Sequence, residues 1–142
     1  MTNDDIMNNR FKCPCCGYPT LGERNAYEIC ELCNWEDDGQ DDDDVDIIKG
    51  GPNSDYSLKE ARQNFKLYRV MYAPDRDQRI TGRDSTLEYE TKGQLIAIFK
   101  RLQSSSPSEI SALEVKIGKL EQLLRNETTR QVEEYERQQK KA

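Results

Sequence analysis

The sequence predicts an α+β protein in two parts. A small cysteine-knuckle domain with short strands comes first, followed by helices that include a long C-terminal one. Three observations predict this. All five cysteines fall within the first 33 residues. Helical apolar spacing begins only after residue 57. From Ile110 onward, apolar residues recur at three and four positions. The expected division is a flexible arm over 1–10, a cysteine-rich domain over 11–83 with one helix near 58–72, and a helical extension over 84–142.

The arm, MTNDDIMNNR, has no apolar stretch that could serve as a secretory leader. No run in the chain approaches the roughly 20 apolar residues that span a bilayer. The chain therefore reads as soluble and cytoplasmic, with no membrane partner. A reducing compartment argues against disulfides, and an odd number of cysteines does not fit a pure disulfide framework. Hydrophobic residues make up 35% and charged residues 34%, so the core is modest and needs a staple.

Cys13–Cys16 and Cys30–Cys33 are both C-x-x-C pairs, separated by thirteen residues. Two residues between ligands let a tight turn aim both sulfurs at one ion, and two such turns complete a tetrahedron. Gly17 and Asn34 follow the two pairs, where a knuckle needs a left-handed backbone. Pro14 stiffens the first turn. The chain has no histidine, so these four thiolates are its soft ligand set. Zinc in a zinc-ribbon or rubredoxin-like knuckle is the expected occupant, and iron is the alternative for the same ligands. Four thiolates close the coordination shell, which excludes a water-activating catalytic zinc. Cys15 lies between two ligands and reads as a small buried side chain, or else as a reactive or alternative ligand. Tyr18, Tyr27 and Trp35 are expected to cover the metal and form a little core around it.

Residues 36–46, EDDGQDDDDVD, hold eight carboxylates. An EF-hand register with Gly39 at the sixth position puts Val45 at the twelfth, where calcium needs a carboxylate, so that motif fails. Glu36, Asp37, Asp38, Asp41, Asp42, Asp43, Asp44 and Asp46 remain as a candidate surface for a basic protein partner, set against a plain solvated loop. Residues 1–56 carry a net charge of −10 and residues 57–142 a net of +4. Acid around the knuckle disfavours a nucleic-acid ligand for it.

GGPN at 50–53 is turn chemistry. Ser57 with Glu60 forms a capping box, and Leu58, Ala61, Phe65, Tyr68 and Tyr72 share one helical face until Ala73-Pro74 stops it. Residues 75–90 read as a loop. Thr91 with Gln94 suggests a second capping box before Leu95, Ile98, Phe99 and Leu102. Ser106, Pro107 and Glu109 start a third helix, carrying Ile110, Leu113, Ile117, Leu120 and Leu124 on one face. These last two helices, 92–103 and 107–137, are expected to pair as a hairpin. A dimerising or partner-docking helix is the alternative, and the tail RQQKKA reads as disordered.

CPCCGYPTL, YEICELCNWEDDGQ, GGPN and SLKEARQNF together resemble the bacterial cysteine-rich CPCC family over roughly residues 11–83. The resemblance implies a small metal-binding module without a settled activity. Family settings similar to interbacterial toxin loci imply an immunity protein that neutralises a basic toxin domain, such as a nuclease. The longer aspartate run and the helices after residue 91 depart from the family pattern. With no histidine and no glycine-rich phosphate loop, the expectation is a non-enzymatic binding protein. The alternatives are a zinc-ribbon nucleic-acid-binding or regulatory protein, and a thiol or redox protein using Cys15.

Overall fold

In the computed structural model, residues 6, 7 and 9–141 are described, residues 6 and 7 by their backbone alone. The chain divides into two compact units, Met1–Ala73 and Pro74–Ala142. The loop after Ala73 thus groups with the helices, earlier than the boundary expected at 83/84.

The first unit opens with a three-stranded antiparallel sheet, β1 (Ile6–Met7), β2 (Arg10–Lys12) and β3 (Pro19–Leu21), in that order. Ile6 pairs with Phe11 and Met7 with Arg10, so these residues of the expected arm belong to a sheet. The rest of the arm, residues 1–5 and 8, lies outside the described residues. Phe11 pairs with Leu21 and Lys12 with Pro19, with a register shift between Phe11 and Lys12. The first cysteine knuckle is the loop of this β2–β3 hairpin. The second knuckle sits in a smaller hairpin closed by a bridge between Ile29 and Glu36.

α1 (Leu58–Tyr68) starts where Ser57 Oγ accepts from the Glu60 amide at 3.1 Å, as its capping motif predicts. It buries Leu58, Ala61, Asn64 and Phe65. It stops at Arg69, in the left-handed region with φ 62°, sooner than the Ala73-Pro74 signal suggested. Tyr72 therefore lies beyond the helix and packs edge-on against Tyr56 at 5.8 Å. Asn64 Nδ2 donates to the Met71 carbonyl at 2.9 Å, and the Met71 amide donates to the Cys33 carbonyl at 2.8 Å. The chain after α1 is thereby tied to the second knuckle. Trp35, Leu21, Leu32, Tyr56 and Met71 fill the core between these elements.

The second unit holds α2 (Thr86–Leu102) and α3 (Pro107–Lys141), which pack as a hairpin. The start of α2 lies further upstream than Thr91–Gln94 suggested. Ser85 Oγ accepts from the Glu88 amide, and the Glu88 carboxylate accepts from the Ser85 amide at 2.9 Å, a complete capping box. Thr91 is buried within the helix. Leu95, Phe99 and Leu102 are buried on α2, and Leu113, Ile117 and Leu124 on α3. Ile98, Ile110 and Leu120, expected on the same faces, are only half-buried. Ser85 Oγ also donates to Glu127 at 2.7 Å, and Gln131 Nε2 donates to Glu88 at 2.8 Å, tying the two helices together. α3 stays helical to Lys141, through the tail expected to be disordered.

After a short 3-10 turn at Pro74–Arg76, residues 77–84 are organised by ions rather than by regular structure. Arg79 sits between Asp77 and Asp84, and Lys92 on α2 donates to Asp84 at 2.7 Å. Burial works against the Arg79 charge, but hydrogen bonds to Asp77 and Asp84 outweigh it and raise the pKa of the guanidinium. The Lys92 side chain is 2% exposed and that of Asp84 8% exposed. Removing one partner of a buried pair strands the other charge. Asp84→Asn is therefore expected to destabilise the helical unit by about 3 kcal/mol, read by urea denaturation followed at the far-ultraviolet helix signal. A change below about 0.5 kcal/mol would show that the cluster is as weak as an exposed pair.

Candidate metal centre

The two knuckles are built alike. In the first, the Gly17 amide donates to the Cys13 carbonyl at 2.8 Å and the Cys13 amide to Tyr18 at 2.9 Å. In the second, the Asn34 amide donates to the Cys30 carbonyl at 2.9 Å and the Cys30 amide to Trp35 at 2.9 Å. Gly17 has φ 80° and Asn34 φ 71°, the left-handed geometry their positions predict. Asn is the side chain that tolerates this region best after glycine. Each turn points two sulfurs the same way.

The Sγ atoms of Cys13, Cys16, Cys30 and Cys33 all lie within 4.8 Å of one another. Cys13 Sγ is 3.6 Å from Cys33 Sγ, and Cys16 Sγ is 3.7 Å from Cys30 Sγ. A tetrahedral ion with metal–sulfur bonds of about 2.3 Å requires sulfur–sulfur edges of about 3.8 Å. The cross-knuckle edges fit a tetrahedral thiolate site. Cys13, Cys30 and Cys33 are buried and Cys16 is half-buried. The Cys33 amide donates to Cys30 Sγ and the Trp35 amide to Cys33 Sγ, both at 3.5 Å, while Thr20 Oγ1 lies 3.0 Å from Cys30 Sγ. Such donors orient and stabilise thiolate ligands.

Electrostatics agrees with the geometry. Burial, joined by neighbouring thiols, pushes Cys16 well above an ordinary thiol pKa. Burial also works against a charge on Cys30, but contacts from Cys13, Cys16, Cys33 and Thr20 hold its pKa well below the ordinary value. Crowding of buried sulfurs works against several of them ionising together without added positive charge. A divalent cation displaces the remaining protons and lets all four ionise.

Cys15 is not among these four. A contact with Cys33 draws its pKa down, but burial and neighbouring sulfurs outweigh that and raise it. Its side chain is buried, at 6% exposure, as the small-hydrophobe reading expects. Trp35 is fully buried, while Tyr18 is half-buried and stands 6.2 Å from Phe65. Tyr27, expected in this core, is 61% exposed. Its amide pairs with the Asp37 carbonyl, and its φ of 60° turns the chain at the end of the second hairpin.

The aspartate run does not form one open surface. Asp37 is fully buried. It accepts from Arg24 Nε at 3.0 Å, from the Asn25 amide at 2.7 Å and from the Gly39 amide at 3.3 Å. Its expected role in partner contact is therefore corrected to a structural one. Asp38 accepts from the Gln40 amide at 3.0 Å. Asp41 caps a short 3-10 turn, Asp42–Asp44, and Asp44 accepts from the Asp41 amide at 2.8 Å. That amide lowers the Asp44 carboxyl pKa. Arg62 donates to the Pro14 carbonyl through Nε and to Asp42 through its terminal nitrogen, both at 2.8 Å. One side chain of α1 thus joins the first knuckle to the acidic loop. Asn53 donates to the Glu36 carbonyl at 2.8 Å and accepts from the Glu36 amide at 3.1 Å, as a strand neighbour would. Asp42, Asp43 and Asp46 are the exposed acids of the run. Arg24, Arg62, Thr20 and Asn53 were not identified from sequence. Thr20, Asn53 and Arg62 lie inside the stretches CPCCGYPTL, GGPN and SLKEARQNF, while Arg24 had no local signal.

Removing the metal with a chelator is expected to shift the emission of Trp35 to longer wavelength as the first unit loosens. Trp35 is the sole tryptophan, and α2 and α3 should retain most of the helical signal. Unchanged emission after metal loss, verified by elemental analysis, would refute a metal-held core. Asp37→Ala is expected to cost about 2 kcal/mol in thermal or urea denaturation, because it strands buried donors. Asp43→Asn, on the exposed turn, is expected to stay within about 0.5 kcal/mol. Equal effects would mean that Asp37 does not organise the loop.

No curated protein and no solved structure matches the chain. The family described as cysteine-rich CPCC matches residues 11–84, a span that holds both knuckles, the acidic loop and α1. This chain belongs to the cysteine-rich CPCC family.

Proposed function

We propose that this is a non-catalytic, zinc-stabilised binding protein that receives a basic protein partner on its acidic loop. Within that class, it acts as an immunity protein that neutralises a basic toxin domain. The observation that carries the reading is the closed set of four sulfurs, Cys13, Cys16, Cys30 and Cys33. A shell of four thiolates leaves no position for water or substrate, so the ion supports folding rather than turnover. Zinc suits a closed structural site of this kind, and iron would fit the same edges. Burial of Cys15 weighs against thiol chemistry.

The acidic loop supports the partner half of the proposal. Its inner acids, Asp37, Asp41 and Asp44, are occupied by Arg24, Arg62 and backbone amides, which fixes its shape. Its outer acids reach solvent: Asp43 is exposed, the side chain of Asp42 is 83% exposed while pairing with Arg62, and that of Asp46 is 75% exposed while standing 3.7 Å from Lys59. A pre-shaped acidic rim attracts a cationic surface without ordering a loop on contact.

Two measurements test this. Elemental analysis of protein purified without added metal should find zinc, and a colourless solution should separate it from an iron–thiolate site. Iron, or no metal, would remove the zinc premise. For the partner, the chain and its Asp43→Asn/Asp46→Asn variant would be used as bait under identical conditions. Basic proteins retained by the native chain should be lost from the variant and released by salt. Retention indifferent to both changes would overturn the acidic-rim reading.

A further inference from the structure

The helical unit carries a second candidate interface of opposite chemistry. Two paired helices bury one seam and leave a groove open alongside it. Here α2 and α3 enclose a groove of about 450 Å³ with Ala97, Ile98 and Leu120 among its lining residues and Lys116 and Lys119 on its α3 side. Leu87 lies three helical turns before Ile98, beyond the polar Thr91 and Gln94, and Leu123 one turn after Leu120, so each helix carries a further apolar side chain on that side. Leu87 is 45% exposed and Leu123 44% exposed.

The charges beside this strip differ from those elsewhere on α3. Arg130 pairs with Glu127, and Arg137 with Glu134. Lys116 and Lys119 have no carboxylate three or four residues away in either direction. The groove lining contains no acid. A twofold contact between copies through this groove would bring like charges together without compensation. An acidic partner is favoured by the same charges.

We infer that this groove receives an acidic amphipathic helix, with its apolar face on Ile98 and Leu120 and its carboxylates against Lys116 and Lys119. The mode is helix-in-groove recognition, with anchors spaced at three and four residues. The occupant supplies the packing face that a two-helix hairpin lacks. The inference is independent of the acidic loop and of the metal's identity.

The test uses the full metal-loaded chain and two labelled synthetic peptides of about five helical turns. Both carry leucine on one face. One carries glutamate on its flanks and the other lysine. Fluorescence anisotropy should show the acidic peptide binding at least tenfold more tightly, and less tightly as salt rises. In Lys116→Glu/Lys119→Glu, whose side chains lie outside the hairpin seam, the preference should reverse while the far-ultraviolet signal stays unchanged. Ile98→Asp should weaken both peptides. No binding, equal binding of the two peptides, or a preference that survives the charge reversal would overturn the inference. So would a native dimer in sedimentation that Leu120→Arg dissociates, because a second copy would then be the occupant.

Discussion

Four sulfurs brought within 4.8 Å of one another in a largely buried site cannot all carry charge unless a cation joins them. The first unit depends on that constraint. Its strands are two and three residues long, too short to hold a sheet by pairing alone. Its two hairpins share few hydrogen bonds but share the ligand cluster. An ion at the four sulfurs would stand in for the long strands and thick core of a larger domain. Trp35, Leu32 and Leu21 pack around a point that the ligands define.

The remaining elements of the unit are tied to that point by side chains reaching across long stretches of chain. Arg62 holds the Pro14 carbonyl, and the Met71 amide holds the Cys33 carbonyl, so α1 and the turn after it are fastened to both knuckles. Arg24, between Asp37 and Asp41, and Arg62, on Asp42, neutralise the aspartate run from its inner side. Self-repulsion alone predicts an extended loop. Internal cations and backbone amides instead curl it into a capped turn, leaving a few acids exposed. The helical unit balances its charge differently, with one buried ion cluster beside α2 and surface pairs along α3.

The four-sulfur cluster, the left-handed Gly17 and Asn34, and the Ser57 cap were legible in sequence because each is a local device with fixed spacing. The helical hairpin was legible from periodicity, although its edges were not. α2 begins at a Ser-x-x-Glu motif that lies inside an apparently irregular stretch, and the ion cluster beside it gives no periodic signal. Ile98 and Leu120 fit the apolar pattern yet lie at the border of the seam, because a helical stripe does not specify how wide its partner is. Asp37 was unreadable for a related reason. Composition marks it as one acid among eight, and only the folded path of the chain places Arg24 and two backbone amides around it.

Cys15 matters to the route by which this centre assembles. In an unfolded chain the first knuckle offers three adjacent sulfurs, while the ion needs two from that side. Closing either short C-x-x-C loop costs little chain entropy, so capture of an ion can precede docking of α1. At that moment Cys15 competes with its neighbours, since thiolate exchange at an open, solvated knuckle depends on reach. Burial of Cys15 comes only with the tertiary structure, including the Arg62 bond to the carbonyl just before it. The folded structure thus distinguishes Cys15 from its neighbours by burial, which an unfolded knuckle does not. An ion held through Cys15 would keep that side chain from its buried place beside the Pro14 carbonyl that Arg62 of α1 holds.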